Sequence, residues 1–144
     1  MEFRAVDHTI NIIGYEKDNI KYAMACAWSM MVDYDKIVSL LGSQSVTGKN
    51  VKKGDIVGFS ALSIEQKDIA LKLGENHSNE IDKLEGIDYS INNGAILIND
   101  AKNEIVCMVI DIIHLEGIED DNLLYLKVLS HKSNNKKYLH MEDL

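Results

Sequence analysis

Short apolar runs, each followed by a small polar cluster, make up most of this chain. Runs at 9–13, 23–31, 36–41, 55–61, 95–98, 104–115 and 123–130 are rich in Ile, Val and Leu and have strand length. Between them lie clusters of Gly, Asn, Asp and Ser at 14–19, 42–48, 92–94, 99–103, 117–122 and 133–137. The chain has no proline, so these residues must make its turns. Many short strands with regular turn punctuation predict a mainly β barrel.

Two segments depart from this pattern. From Ser63 to Gly74 the apolar positions Ile64, Ile69, Ala70, Leu71 and Leu73 follow helical spacing. Ser63 stands as N-cap, Gln66 as its capping-box partner and Gly74 as the stop. A second, shorter helix is expected at 47–53 or 81–84. In the run 104–115, Ile105, Cys107 and Val109 alternate with Val106, Met108 and Ile110, so both faces of the strand are apolar. Such a strand needs a helix or a second subunit over its outer face.

At 144 residues, 46% hydrophobic and 26% charged, the chain suits one folded domain with a hydrophobic core. Its net charge of −8 and its single arginine, Arg4, argue against nucleic acid as a main partner. No apolar run is long enough to cross a bilayer, and the first residues lack a signal peptide's apolar stretch, so a cytoplasmic protein is expected. Cys26 and Cys107 sit among apolar neighbours and read as two buried free thiols. The five histidines are scattered without metal-ligand spacing. No Ser-His-Asp pattern, dinucleotide fingerprint or P-loop is present.

One stretch suits an anion. Gly42-Ser43-Gln44-Ser45-Val46-Thr47-Gly48-Lys49 offers hydroxyls, glycines and a lysine in a turn that leads into a helix start. An ordinary polar loop is the plainer reading of the same residues.

The order of several segments resembles the flavin reductase-like family of FMN-binding split barrels. Lys21-Tyr22-Ala23-Met24-Ala25-Cys26-Ala27-Trp28 stands where that family commonly has Asn-Ala-Met-Thr-x-Ser-Trp. The turn ending in Thr47, the helix from Ser63 to Gly74, and the segment Asp82-Lys83-Leu84-Glu85-Gly86-Ile87-Asp88-Tyr89 follow in the family's order.

The resemblance implies a split β-barrel over 1–144 with one or two short covering helices, forming a homodimer with FMN at or near the subunit interface. It implies that Tyr22, Ala25, Cys26, Ala27 and Trp28 lie by the flavin ring, and that Ser43, Ser45 and Thr47 hold the phosphate. Lys83 would place a cation near the cofactor. Asn122 falls where many members have a His, and Tyr138 stands for an aromatic brought in from the C-terminal segment.

The expected activity is hydride transfer from NADH or NADPH, bound transiently, to the flavin. An electron carrier of flavoredoxin type, reduced by a redox protein partner, is the alternative, and a relative that has lost flavin is a third. The departures keep these open. Tyr22 replaces the usual Asn, Ala25 and Ala27 replace hydroxyl residues, and Asn122 cannot hold a proton as His does.

Overall fold

A computed structural model of the chain describes residues 3–42, 45–75 and 84–144. Nine strands form one antiparallel sheet: β1 Asn11–Lys17, β2 Ile20–Cys26, β3 Ser29–Asp33, β4 Lys36–Leu41, β5 Ile56–Ala61, β6 Tyr89–Asn92, β7 Ala95–Ile98, β8 Asn103–Ile113 and β9 Asn122–Ser133. Among the described residues two α-helices accompany them, α1 Val46–Asn50 and α2 Lys67–Glu75. The sheet runs β3-β4-β9-β8-β5-β1-β7-β6, with β2 paired to the remaining edge of β1.

The fold is a split β-barrel with short helices, as expected. Ile13 and Tyr15, Tyr22 and Cys26, Ile37 and Leu41, Val57 and Phe59, Cys107 and Val109, and Leu124 and Leu126 come pairwise from β1, β2, β4, β5, β8 and β9. Each pair is two or four residues apart, the spacing that keeps side chains on one face of a strand, so together they fill the interior. β2 and β4 touch without a ladder between them, which leaves the barrel split. Cys26 Sγ and Ser39 Oγ bridge that gap at 3.4 Å.

The other face of β1 and β2 carries Ile12 and Ala23. These pack with Ala70 and Leu73 of α2 and with Leu62, Ile96, Ile98 and Leu139 in a second buried cluster. Strand β1 is therefore apolar on both sides because it lies between the interior and α2.

The predicted turn at 14–19 contracts to two residues. Asp18 and Asn19 have φ of 54° and 65°, the signs that a two-residue type I′ hairpin requires. Gly14 belongs to β1 instead, opposite Gly58 of β5. At this point the edge of β1 passes from β5 to β7, and Ile96 crosses close above both glycines. A Cβ on Gly58 would lie 1.9 Å from the Ile96 carbonyl oxygen, so only glycine fits there.

The run 23–31 divides into β2 and β3 at Ala27 and Trp28, where the Ser29 N–H donates to the Ala27 carbonyl at 2.9 Å. Runs 36–41 and 95–98 are β4 and β7 with the same bounds. On β8, Cys107 and Val109 face the interior, while Val106 joins Ala95, Leu97 and Ile56 in a small outer cluster. The helix after Ser63 opens with a 3-10 turn, Ile64–Gln66, in which Gln66 Oε1 accepts from the Ser63 N–H at 3.0 Å. It then runs through Gly74 to Glu75 instead of stopping at the glycine. The short helix expected at 47–53 is α1; positions 81–83 of the other candidate lie outside the described residues. Among the described residues no helix is long and apolar enough to cross a membrane.

Candidate functional site

A cleft of about 280 Å³ opens between the end of β2 and α2, lined by Ile10, Ala25, Cys26, Ala27, Ala70, Leu71, Gly74 and Leu144. Alternation along β2 sends Ala25 toward α2 and Cys26 toward the interior. Ala70 and Gly74, four residues apart, share the helix face that meets this strand. A Cβ on Gly74 would lie 3.9 Å from the Ala25 Cβ. Small side chains on both walls thus make a narrow apolar slot, with the half-exposed Leu71 and Leu144 at its mouth. The backbone N–H groups of Ala27 and Trp28 have no hydrogen-bond partner among the described residues.

Cys26 closes the floor of the slot. Its Sγ lies 3.4 Å from both Ser29 Oγ and Ser39 Oγ, and the two hydroxyls are 2.7 Å apart. Burial raises the thiol pKa, and the hydrogen bonds to Ser29 and Ser39 offset only part of that rise. Cys26 is therefore a neutral packing and hydrogen-bonding group at neutral pH and not a thiolate. Cys107 is the other free thiol, also buried, with its pKa pushed up to about 12 by desolvation.

The predicted ring residues separate into two environments. Ala25, Cys26 and Ala27 line the slot. Tyr22 lies inside the barrel, stacked on Tyr15 with ring centroids 4.9 Å apart. Trp28 is 63% exposed and stands outside the slot, at the start of an exposed apolar strand face.

The predicted phosphate turn enters α1, which packs against β2. Ser45 caps this helix: its Oγ accepts from the Gly48 N–H at 2.8 Å and donates to the Gly42 carbonyl at 3.0 Å. Thr47 is buried, and its carbonyl accepts from Tyr15 Oη. Asn122 Nδ2 donates to the Gly48 carbonyl at 2.9 Å, and Lys17 Nζ to the Asn50 carbonyl at 3.2 Å. The last carbonyls of a helix lack intrahelical partners, so side chains of β1 and β9 satisfy three of them here. The lysine also suits the negative end of the helix dipole. Asn122 is thus engaged in holding α1 to β9. Ser43 and Lys83 lie outside the described residues.

Tyr138 is not among the residues that line the slot. Its hydroxyl accepts from Asn103 Nδ2 at 2.7 Å, and Lys102 Nζ stands 5.5 Å from its ring centre. No group of three or more His, Cys, Asp or Glu among the described residues could hold a metal ion.

A curved sheet of this topology with its short helices defines a fold class that solved structures share. An NADH:FAD oxidoreductase of Streptomyces globisporus C-1027 superposes with a TM-score of 0.84 at 13% identity, over 94% of this chain and 81% of that one. An FMN-binding protein of Thermus thermophilus gives 0.81 at 14% identity, over 92% and 75%. The flavoredoxin of Methanosarcina acetivorans gives 0.78 at 10% identity, over 94% and 75%. At such identities the likeness is one of fold. The chain itself belongs to the flavin reductase like domain family, whose model matches residues 3–143. A comparison with the curated proteins found no match.

The helix wall of the slot escaped the sequence reading. Ala70 and Gly74 carry a signal in retrospect, two small residues at i and i+4 on a helix whose remaining inner positions are large. Ile10 and Leu144 carry none, because only the fold brings them to the mouth.

Proposed function

We propose that this chain is an FMN-binding flavoprotein that takes hydride from NADH or NADPH, with the flavin ring in the slot between β2 and α2. The observation that carries this reading is the slot's shape in a member of the flavin reductase-like family: apolar walls of small residues facing one another across a narrow gap. Its volume of about 280 Å³ is just below the range of roughly 300–1,000 Å³ for small-molecule sites. A volume of this order suits one ring system and not a whole nucleotide, and since Ala25 and Gly74 stand too close for a ring to pass between them, the ring would rest against the open side of the slot. The ribityl phosphate would then lie outside the slot, toward the turn leading into α1, which adjoins the same strand.

Bound FMN supplies the hydride-accepting ring, and the protein's part is position and electrostatics. The apolar walls of Ala25, Ala70 and Gly74 exclude water from one ring face. The unpartnered N–H of Ala27, a residue of the slot lining, is a donor available to the ring's polar atoms. Neutral Cys26 packs below without adding charge. Nothing in this set transfers a proton.

The apolar residues Trp28, Met30, Met31, Val32 and Tyr34, at 63%, 62%, 60%, 50% and 94% exposure, cluster in sequence on and beside β3. An exposed apolar cluster of this kind marks an association surface. In this reading it is covered by a second copy of the chain, which places the subunit interface beside Trp28 and the slot.

The reading is tested by recording the visible spectrum of the FMN-loaded protein anaerobically, before and after NADH and then NADPH. Bleaching of the flavin band by one of the two is expected. Bound flavin that stays oxidised with both, yet is reduced by a redox protein, would replace the reductase with a carrier of flavoredoxin type.

A further inference from the structure

The first six residues of β9 pair with β4, from Asn122↔Leu41 to Lys127↔Lys36, and from Leu123 onward they pair with β8 on the other side. There β4 begins, and the Val128 N–H donates to the Asp35 carbonyl at 2.8 Å as the last bond on that side. From Leu129 to Ser133 β9 continues against β8 alone, and among the described residues no strand pairs with its other edge. These five residues are all exposed, Leu129 at 49%. Ser130 and Lys132 are register partners of Val106 and Glu104, and the Asn134 N–H donates to the Lys102 carbonyl at 3.2 Å. By the alternation of an antiparallel ladder, His131 and Ser133 then turn their N–H and C=O groups away from β8, toward solvent.

Charge separates this edge from the rest of the molecule. Residues 122–141 contain Lys127, Lys132, Lys136 and Lys137 and no Asp or Glu, a formal charge of +4 in a chain of −8, which leaves −12 for the other residues. Among the described residues, acidic groups face the stretch from other elements at five points. Glu104 stands opposite Lys132 and Asp111 opposite Tyr125, Glu65 pairs with Lys136 at 3.2 Å, Asp7 lies 2.8 Å from His140, and Asp35 is already paired with Lys36 at 2.7 Å.

We propose that the open edge of β9 from Leu129 to Ser133 is a docking site for an extended acidic segment of another protein, added to the sheet as a strand. Main-chain hydrogen bonds to an open edge give such binding its affinity, and the flanking side chains select the sequence. The lysines select against a second copy of this edge, since two basic strands laid side by side repel. Lys132 within the edge, with Lys127 before it and Lys136 and Lys137 after it, favours a strand that carries carboxylates. The site is separate from the slot and does not depend on flavin.

The probe is a fluorescein-labelled peptide of alternating Glu and Val, with the alternating Lys and Val peptide as control, titrated into the full chain at low salt. Binding of the acidic peptide alone is expected, weakening as salt is raised, with slowed hydrogen exchange at His131 and Ser133. His131→Pro removes an outward N–H and leaves the β8 ladder intact, and it should weaken binding at least tenfold. Lys127→Gln with Lys132→Gln should weaken it at least threefold, and this double variant keeps the test decisive if the proline variant fails to fold. Equal binding of both peptides, or unchanged affinity in the folded variants, would overturn the proposal. So would protection of the edge by self-association in the absence of peptide.

Discussion

Strands β2 and β3 follow one another in the chain, share an apolar composition, and end in opposite environments. Ala23 of β2 is 1% exposed and Tyr22 8%, whereas Met30, Met31 and Val32 of β3 are at least half exposed. The cause is what each strand has beside it. β2 has α2 on one face and the barrel interior on the other, and β3 is an edge strand of the sheet with β4 as its single pairing partner. An apolar run therefore shows that something covers it, and the neighbours decide whether the cover is intramolecular. Between the two strands lie Ala27 and Trp28, and the candidate site sits at this boundary.

The sharpest way to break this comparison is to place a carboxylate on each strand. Ala23→Asp buries a charge under α2 and should cost about 3 kcal/mol or more, while Met31→Asp should change the stability of a monomer by no more than about 0.5 kcal/mol. Urea unfolding at low protein concentration compares them, and equal losses would mean that β3 is covered within the chain.

Association gives the next largest effect. If a second copy covers β3, Met31→Asp should weaken self-association at least tenfold, about 1.4 kcal/mol, as seen by light scattering across a dilution series. Ala23→Asp should act on association only through unfolding.

A last effect, read as a slope against pH, concerns the interior that β2 shares with β8. Cys107 has its pKa raised to about 12 by burial. An acid that holds its proton more tightly when folded keeps its full contribution below the ordinary thiol pKa of about 8.5 and loses it as pH rises toward the folded value. Wild-type stability should thus decline between about pH 9 and 12, with Cys107 contributing at most about 1.4 kcal/mol per pH unit. In Cys107→Ala the urea midpoint should fall less steeply over this interval, whatever its absolute value. An unchanged slope would show that the thiol titrates as it does in the unfolded chain.

Much of the barrel was legible because strand signals are local. The bounds of β4 and β7 follow from their apolar runs and flanking turn residues. The turn at 14–19 was overextended because Gly14 reads locally as a turn, whereas its place in β1 is set by Ile96, a residue far along the chain. β6 was missed because Tyr89–Asn92 is short, mostly polar and largely exposed. One wall of the slot, Ala25 to Ala27, was legible from the order of residues around Trp28. The other wall came from α2, whose seat against β2 is tertiary information. Gly74 shows the difference: its sequence context reads as a helix stop, and its structural place is an opening opposite Ala25.

The measurement closest to the central claim is an FMN titration of the wild-type chain and of Gly74→Val, followed by flavin absorbance and fluorescence, with circular dichroism showing that both are folded. The added branched side chain points into the gap facing Ala25. The account predicts one FMN bound per chain in the wild type and at least tenfold weaker binding in the variant. Folded Gly74→Val that binds FMN as tightly as the wild type would place the ring elsewhere and contradict it.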